Sequence, residues 1–154
     1  MSRLADYFVV VGYDHEKNRS GQGTGGRIIQ RFPEKDWPHC PFTLGIELFC
    51  QPHGWHLTTV KKQPTFYVSV LTDIDADRHY LACLTFTEDV VVSPNKVDDD
   101  EDSGEQDPAL VRSAKLYAPK CLVLVSKLDT FETFRHCLGL IYTVYIDNMN
   151  VELE

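Results

Sequence analysis

The sequence has 154 residues, of which 43% are hydrophobic and 25% are charged, values typical of a soluble domain with its own core. The formal net charge of -8 is local, because seven of the 23 acidic residues lie between Asp98 and Asp107. The rest of the chain is nearly neutral, so we expect no nucleic-acid surface. No apolar run approaches the roughly 18 residues of a membrane helix, and the start of the chain lacks a signal-peptide pattern.

The five cysteines also bear on the class of protein. Cys83 and Cys121 lie in strand-like runs and Cys137 in a helical one, where a free thiol behaves as a small hydrophobic group. An odd number of such cysteines favours reduced thiols and therefore a cytoplasmic protein.

The first predicted elements form a hairpin. Apolar residues 7–13 predict a short buried strand, and residues 27–32 predict a second one. Residues 14–26, which contain four glycines, predict a polar flexible loop between them.

The next stretch is rich in prolines. Pro33, Pro38 and Pro41 exclude a long helix, and residues 45–50 predict a short helix or a tight irregular segment. Residues 55–60 predict an edge strand.

Residues 65–88 contain two apolar, β-branched and aromatic runs around a polar turn at 73–78. Neither run separates apolar from polar faces, so we expect both faces to be covered and this hairpin to be the centre of the sheet. Aspartate side chains in the turn are expected to bond the local backbone.

The last part of the chain predicts a disordered acidic loop, a strand and a helix. The loop covers residues 93–112, the strand includes residues 121–125, and Asp129 and Glu132 predict the start of the helix. The helix is expected to have about five turns. Apolar residues recur in it at three- and four-residue steps and so form one face. Its members are Phe131, Phe134, Leu138, Ile141, Tyr142 and Tyr145. We expect the helix to end between residues 147 and 150.

The fold class is therefore α+β, with a mostly antiparallel five-stranded sheet flanked by helices, in a single domain over residues 1–154.

Three motifs suggest ligand sites, and each has a simpler interpretation. Residues 21–26 match G-x-G-x-x-G, but a strand follows where a dinucleotide site needs a helix N-terminus. Residues 73–78 carry alternating aspartates but lack the glycine and glutamate of a calcium loop. A zinc set would join Cys50, His53 and His56 with two upstream residues, His39 and Cys40, but its ligand pairs are poorly spaced. We expect no metal, no cofactor and no catalytic nucleophile.

Several segments in order resemble the start of a DENN-domain protein, most closely a SET-binding factor of the myotubularin-related pseudophosphatase family. They are R-L-A-D-Y-F at 3–8, Q-R-F-P-E-K-D-W at 30–37, G-I-E-L-F-C-Q-P at 45–52, L-T-D-I at 71–74, R-H-Y at 78–80, C-L-T-F at 83–86, A-P-K at 118–120 and G-L-I-Y-T-V-Y at 139–145.

This resemblance implies a longin-like fold and the N-terminal lobe of a larger DENN module. It further implies guanine nucleotide exchange on a Rab-family GTPase in membrane trafficking, in the cytoplasm at the periphery of endosomes. The partners would be the GTPase and the remaining DENN lobe of the same chain. Exchange requires no bond chemistry, so the chain is not expected to be an enzyme on its own. The alternative is a non-catalytic assembly module that forms a homodimer or pairs with another lobe through an edge strand at 27–32 or 55–60.

Candidate partner-binding residues are the exposed ones near the 73–78 turn and in the segment from Trp37 to Trp55, which contains four aromatic residues. The four are Trp37, Phe42, Phe49 and Trp55. Their number exceeds what a loop normally exposes, which suggests a binding surface. The competing and favoured interpretation is that all four fill the layer between the sheet and the elements that cover it.

Overall fold

A computed structural model describes residues 3–19, 25–51, 54–90 and 116–152. Its elements are β1 (Tyr7–Tyr13), α1 (His15–Arg19), β2 (Gly26–Phe32), a 3₁₀ turn (Ile46–Leu48), β3 (Thr65–Thr72), β4 (Arg78–Val90), β5 (Leu116–Ser126) and α2 (Phe131–Glu152). The acidic loop predicted at 93–112 lies outside the described residues. The two strands that flank it, β4 and β5, are described.

The five strands form one antiparallel sheet in the order β2-β1-β5-β4-β3. The predicted α+β class and the antiparallel five-stranded sheet are confirmed. The predicted position of the β3–β4 hairpin at the centre is wrong, because β3 is an edge strand. β5 is the central strand. Its residues 121–126 are all buried, which requires other elements to pack on both faces of the strand and neighbouring strands to pair along both of its edges.

One face of the sheet is covered by α2. Phe134 and Leu138 have no exposed surface and pack against Val10, Ala82 and Leu124 of the sheet. All six residues of the predicted apolar helix face belong to this cluster, so the periodicity read from the sequence is confirmed. The helix is longer than predicted and continues to Glu152.

The opposite face is covered by the irregular segment between β2 and β3, where flanking helices were expected. Ile46 and Cys50 are completely buried against Val9, Val11 and Val123 of the sheet. The prolines of this segment prevent a long helix. The side chains that cover this face of the sheet therefore come from a single 3₁₀ turn and from irregular bends. Among the described residues, no helix combines the length and apolar character that crossing a membrane requires.

Residues 55–60 do not form the predicted edge strand. They contribute a single bridge, in which Thr58 and Tyr117 exchange two backbone hydrogen bonds of 2.7 and 2.9 Å. β1 pairs with β5 only as far as Lys120, so the backbone of β5 beyond that point is open to Thr58. The edges of the sheet are β2 and β3.

The loop after β1 also differs from the prediction, because it begins with the short helix α1. Asp14 Oδ1 accepts the backbone N–H of Lys17 at 3.0 Å, which is the hydrogen bond of a helix N-cap. Residues 20–24, which carry most of the glycine-rich motif, lie outside the described residues. A strand, β2, follows the motif, which agrees with the argument against a dinucleotide site.

A close contact between β2 and Trp55 leads to a first testable prediction. A methyl group at Gly26 would lie 2.3 Å from carbons of the rigid, buried Trp55 ring. Replacing Gly26 with alanine is therefore expected to lower the free energy of unfolding by about 1–3 kcal/mol, as other overpacked sites do. Gly139 in α2 is the matched control, because its added methyl group meets nothing within 4 Å. Gly139→Ala should stabilise the helix by about 0.5–1 kcal/mol. Urea unfolding of both variants measures the difference, and equal effects would contradict this packing.

Candidate protein-binding surface

A groove lies at one end of the sheet, between the segment that follows β2 and the turn that joins β3 to β4. Its volume is about 690 Å³. Its apolar lining includes Leu44, Phe49, Leu71 and Ile74. We call it the turn groove. It joins two regions that the sequence analysis had named separately, the 73–78 turn and the segment from Trp37 to Trp55.

The first wall of the turn groove is a short bend that exposes its leucine. Gly45 has a φ of 83°, which glycine adopts at little cost, and this residue precedes the 3₁₀ turn. Ile46 is completely buried and anchors the bend, whereas Leu44 keeps 88% of its surface exposed and Phe49 keeps 46%. A leucine this exposed beside a partly exposed phenylalanine is a feature of interaction surfaces.

The second wall is the β3–β4 turn, which its first aspartate organises. Asp73 Oδ1 accepts the backbone N–H groups of Asp75 at 3.0 Å and Asp77 at 2.9 Å. These bonds confirm that aspartate bonds the local backbone here. Strand β4 begins at Arg78, as the argument against a calcium loop requires. Ile74, at the tip, is fully exposed.

A buried histidine braces the turn from the sheet. His79 Nε2 lies 3.1 Å from Asp73 Oδ2, and its Nδ1 is buried without a hydrogen-bond partner among the described residues. Because an ionised carboxylate can only accept hydrogen bonds, Nε2 donates in this contact. The hydrogen bond from His79 is the largest cause that lowers the pKa of the Asp73 carboxyl below its ordinary value. Burial opposes this shift, and the backbone hydrogen bonds from Asp77 and Asp75 add to it.

The lowered pKa of Asp73 predicts a pH dependence. The ionised carboxylate stabilises the turn fully above the pKa of an unfolded aspartate, about 3.9, and this contribution is lost as the pH falls through the lower folded pKa. Asp73→Asn is expected to flatten the acid limb of stability, because the amide is neutral at every pH. Asp89 is exposed on β4 and serves as the control position. The midpoints of urea unfolding, determined between pH 2 and 7, measure this pH dependence of stability. An acid limb that is unchanged in Asp73→Asn but flattened in Asp89→Asn would contradict the assignment.

The rim of the turn groove is acidic. Asp73, Asp75 and Asp77 line it on one side, and Lys127 is the one lysine in the lining. Apolar side chains surrounded by carboxylates suit a partner that presents an apolar anchor flanked by lysine or arginine. The contact would be an assembly surface, with no bond chemistry implied by these groups.

The four predicted aromatic residues fall into two groups. Phe42 and Trp55 are buried in the core, where Phe42 stands edge-on to Tyr7 at 5.1 Å. Trp37 is half-buried, and its Nε1 donates to the Asp6 carbonyl at 2.7 Å. These three residues fill the layer over the sheet, as the favoured interpretation expected. Phe49, which is partly exposed, lines the turn groove, and the buried Phe42 also contributes to its lining.

Leu44 and Ile74 were not singled out from the sequence, although both lie within the two candidate regions named there. A signal was present for Ile74, because it is a large apolar residue inside a turn of aspartates, where it has nothing local to pack against. Leu44 precedes a glycine, and its exposure depends on the left-handed conformation of Gly45, which the sequence allows but does not require.

Among the described residues, the zinc set that was considered and set aside from the sequence is not brought together. His39 and His56 are exposed, whereas Cys40 is buried, and its carbonyl accepts the Tyr7 hydroxyl at 2.5 Å. His53 lies outside the described residues. Cys50 is buried and faces two other cysteines, Cys83 and Cys121, which the sequence analysis had treated as separate core residues.

Comparison with known proteins identifies a family region in the chain. Residues 26–86 match the uDENN domain family. Over 89 residues the chain is 33% identical to the MAP kinase-activating death domain protein of Mus musculus, an alignment that covers 54% of this chain and 6% of that relative. No solved structure matches the chain. These findings support a DENN region. They give no support to the narrower resemblance to SET-binding factors and pseudophosphatases.

Proposed function

We propose that this chain is the N-terminal lobe of a DENN-type guanine nucleotide exchange factor that acts on a Rab-family GTPase. The observation that carries the proposal is the position of the turn groove. Both of its walls, at residues 39–49 and 71–79, lie inside the segment that matches the uDENN domain family. The region with the family resemblance therefore also holds an exposed apolar surface.

The proposed fold type is longin-like. Its support is the antiparallel order β2-β1-β5-β4-β3, followed directly by a long helix across one face. The remaining DENN lobe would lie in a longer protein, since the chain spans only 6% of the length of the relative it matches.

Exchange of this kind is a matter of differential binding. A factor accelerates nucleotide release when it binds the nucleotide-free GTPase more tightly than the nucleotide-loaded one. Binding of the factor then weakens binding of the nucleotide, and the reverse holds as well. The turn groove supplies the physical requirements of such a contact, namely apolar anchors and a charged rim. No nucleophile or general acid is needed, so we propose a role without bond chemistry for this lobe.

The narrower parts of the proposal rest on the sequence resemblance. A place in membrane trafficking, at the cytoplasmic periphery of endosomes, follows from the family at large. Membership of the SET-binding factors rests on the quoted segments alone.

The second candidate function is an assembly module, and the edge strand β2 favours it. Ile29 and Phe32 of β2 keep 45% and 73% of their surfaces exposed, and an edge strand has unpaired backbone groups that can join a second sheet. The other edge considered in the sequence analysis, residues 55–60, forms no strand, so β2 would be the contact.

An exchange assay separates the two functions. We expect this chain alone to bind its GTPase weakly and to release nucleotide slowly, because a single lobe makes only part of the contact. A longer protein that carries the remaining lobe should release nucleotide much faster. Fluorescent GDP release from a panel of Rab-family GTPases measures both. Release by neither protein, together with a mass that grows with concentration, would replace the exchange function with the assembly function.

A further inference from the structure

Three completely buried thiols converge inside the sheet face that the irregular segment covers. The sulfur atoms of Cys50, Cys83 and Cys121 all lie within 4.8 Å of one another, and none of these residues has exposed surface. The three cysteines belong to three different parts of the fold: the segment after the 3₁₀ turn, β4 and β5. No other described group of histidine, cysteine or acidic residues has this spacing.

The convergence follows from the sheet register and the covering segment. Cys121 pairs with Thr85 and Cys83 with Val123, so the two cysteines lie on the same face of neighbouring strands, two positions apart. Cys50 reaches them from above. Its position is fixed by the buried Ile46, whose carbonyl accepts the Cys50 thiol at 3.0 Å.

The spacing suits a metal ion. Zinc–sulfur bonds of about 2.3 Å in a tetrahedral site place the sulfur atoms about 3.8 Å apart, which small rotations of these side chains can reach. A fourth donor is close, because the phenolic oxygen of Tyr67, whose hydroxyl donates to the Cys50 carbonyl, lies 4.0 Å from Cys121 Sγ. Structural zinc sites in proteins are closed and four-coordinate, and soft thiolates are preferred zinc ligands.

Charge decides which ion fits best. Three thiolates with Zn²⁺ leave one net negative charge in the core, whereas three thiolates with Cu⁺ would leave two. Because buried net charge is costly, the divalent ion is favoured.

We propose that Cys50, Cys83 and Cys121 bind one Zn²⁺ ion as thiolates, with the Tyr67 hydroxyl as the fourth donor. Binding would release three thiol protons to solvent. The ion would fasten the segment that carries Leu44 and Phe49 to the sheet and so hold one wall of the turn groove in place. The site does not depend on the exchange function.

The competing state is a metal-free core in which the thiols bond the backbone. Besides the Cys50 bond, Cys83 Sγ lies 3.6 Å from the Leu81 carbonyl, and Cys121 Sγ lies 3.8 Å from the Leu122 carbonyl. These two contacts are long and locally available to any strand cysteine, so they do not explain why three sulfur atoms meet at one point.

Metal analysis of the full chain, purified with reductant and without oxygen, tests the proposal. We expect about one zinc per molecule. Metal-free protein titrated with Co²⁺ should show thiolate charge-transfer bands and tetrahedral d–d bands, and zinc should raise its melting temperature. Folded metal-free protein that shows neither the bands nor the rise would overturn the proposal. Protein that carries Cu⁺ and rejects Zn²⁺ would overturn the choice of ion.

Cysteine variants locate the site. Cys83→Ala and Cys121→Ala are expected to lose the zinc and its effect on melting, whereas Cys137→Ala, in α2, should keep both. If the strand variants fail to fold, the cobalt titration of the wild-type protein remains decisive. Tyr67→Phe should keep the charge-transfer bands and change the d–d bands. Unchanged d–d bands would remove Tyr67 from the ligand set.

Discussion

Replacing Phe134 with alanine is expected to lower the free energy of unfolding by about 3–5 kcal/mol. Phe134 has no exposed surface and belongs to the cluster that joins α2 to the sheet. Removing its ring leaves a cavity that β4 and β5, fixed by their pairing on both sides, cannot close. A loss of this size is a large fraction of the stability of a typical domain. Chemical denaturation followed by circular dichroism measures it.

Leu140 is the matched control for Phe134. It lies in the same helix, but 70% of its surface is exposed. Leu140→Ala should change the free energy of unfolding by no more than about 0.5 kcal/mol, because surface substitutions rarely do more. Similar effects of the two variants would contradict the position of α2 on the sheet.

Charging the turn groove is expected to weaken GTPase binding strongly while leaving the fold intact. Leu44 and Ile74 are exposed on opposite walls of the groove. Replacing each with aspartate puts a desolvated carboxylate where an apolar anchor would dock, beside three existing aspartates. Central anchors of interfaces typically contribute about 2 kcal/mol or more, so each variant should weaken binding about thirtyfold. Affinity for the nucleotide-free GTPase, measured with the longer protein, gives this value.

Val144 serves as the control for this experiment. It is 60% exposed on α2, which covers the other face of the sheet. Val144→Asp adds the same charge and should leave the affinity within about twofold, since a distant charge contributes little. A loss of binding in Val144→Asp with full binding in the groove variants would place the contact on α2 instead.

The elements of the fold could be predicted because their patterns are local. The apolar runs of β1 and β5 and the periodicity of α2 each require only their own residues. The strand order could not be predicted in the same way. Placing β5 between β1 and β4 depends on pairing between segments that are far apart in the chain. β3 was wrongly placed inside the sheet because its apolar composition resembles that of a buried strand.

The turn groove was predicted only in outline. The turn and the segment around Phe49 were both named, but their meeting in one groove depends on the hairpin lying at the edge of the sheet. Aromatic content was a misleading signal, because Phe42 and Trp55 are large enough to fill the space left by a segment with no helix. Exposure of Leu44 depends on a single backbone conformation at Gly45.

The cluster of three buried thiols could not be predicted from the sequence, for a related reason. Cys50, Cys83 and Cys121 are separated by more than thirty residues each, and their spacing matches no metal-binding motif. The register of β4 and β5 brings two of them together, and the fold of a proline-rich segment adds the third. Neither can be derived from local patterns.

The most direct test of the proposed role of the turn groove is hydrogen–deuterium exchange of a longer protein that carries the proposed second DENN lobe, with and without a nucleotide-free Rab-family GTPase. Binding is expected to slow exchange of backbone amides at residues 42–49 and 73–79, and to leave the exposed side of α2 unchanged. Slowed exchange that is confined to α2 or to β2, with residues 42–49 and 73–79 unaffected, would contradict the assignment of the turn groove as the GTPase-binding surface.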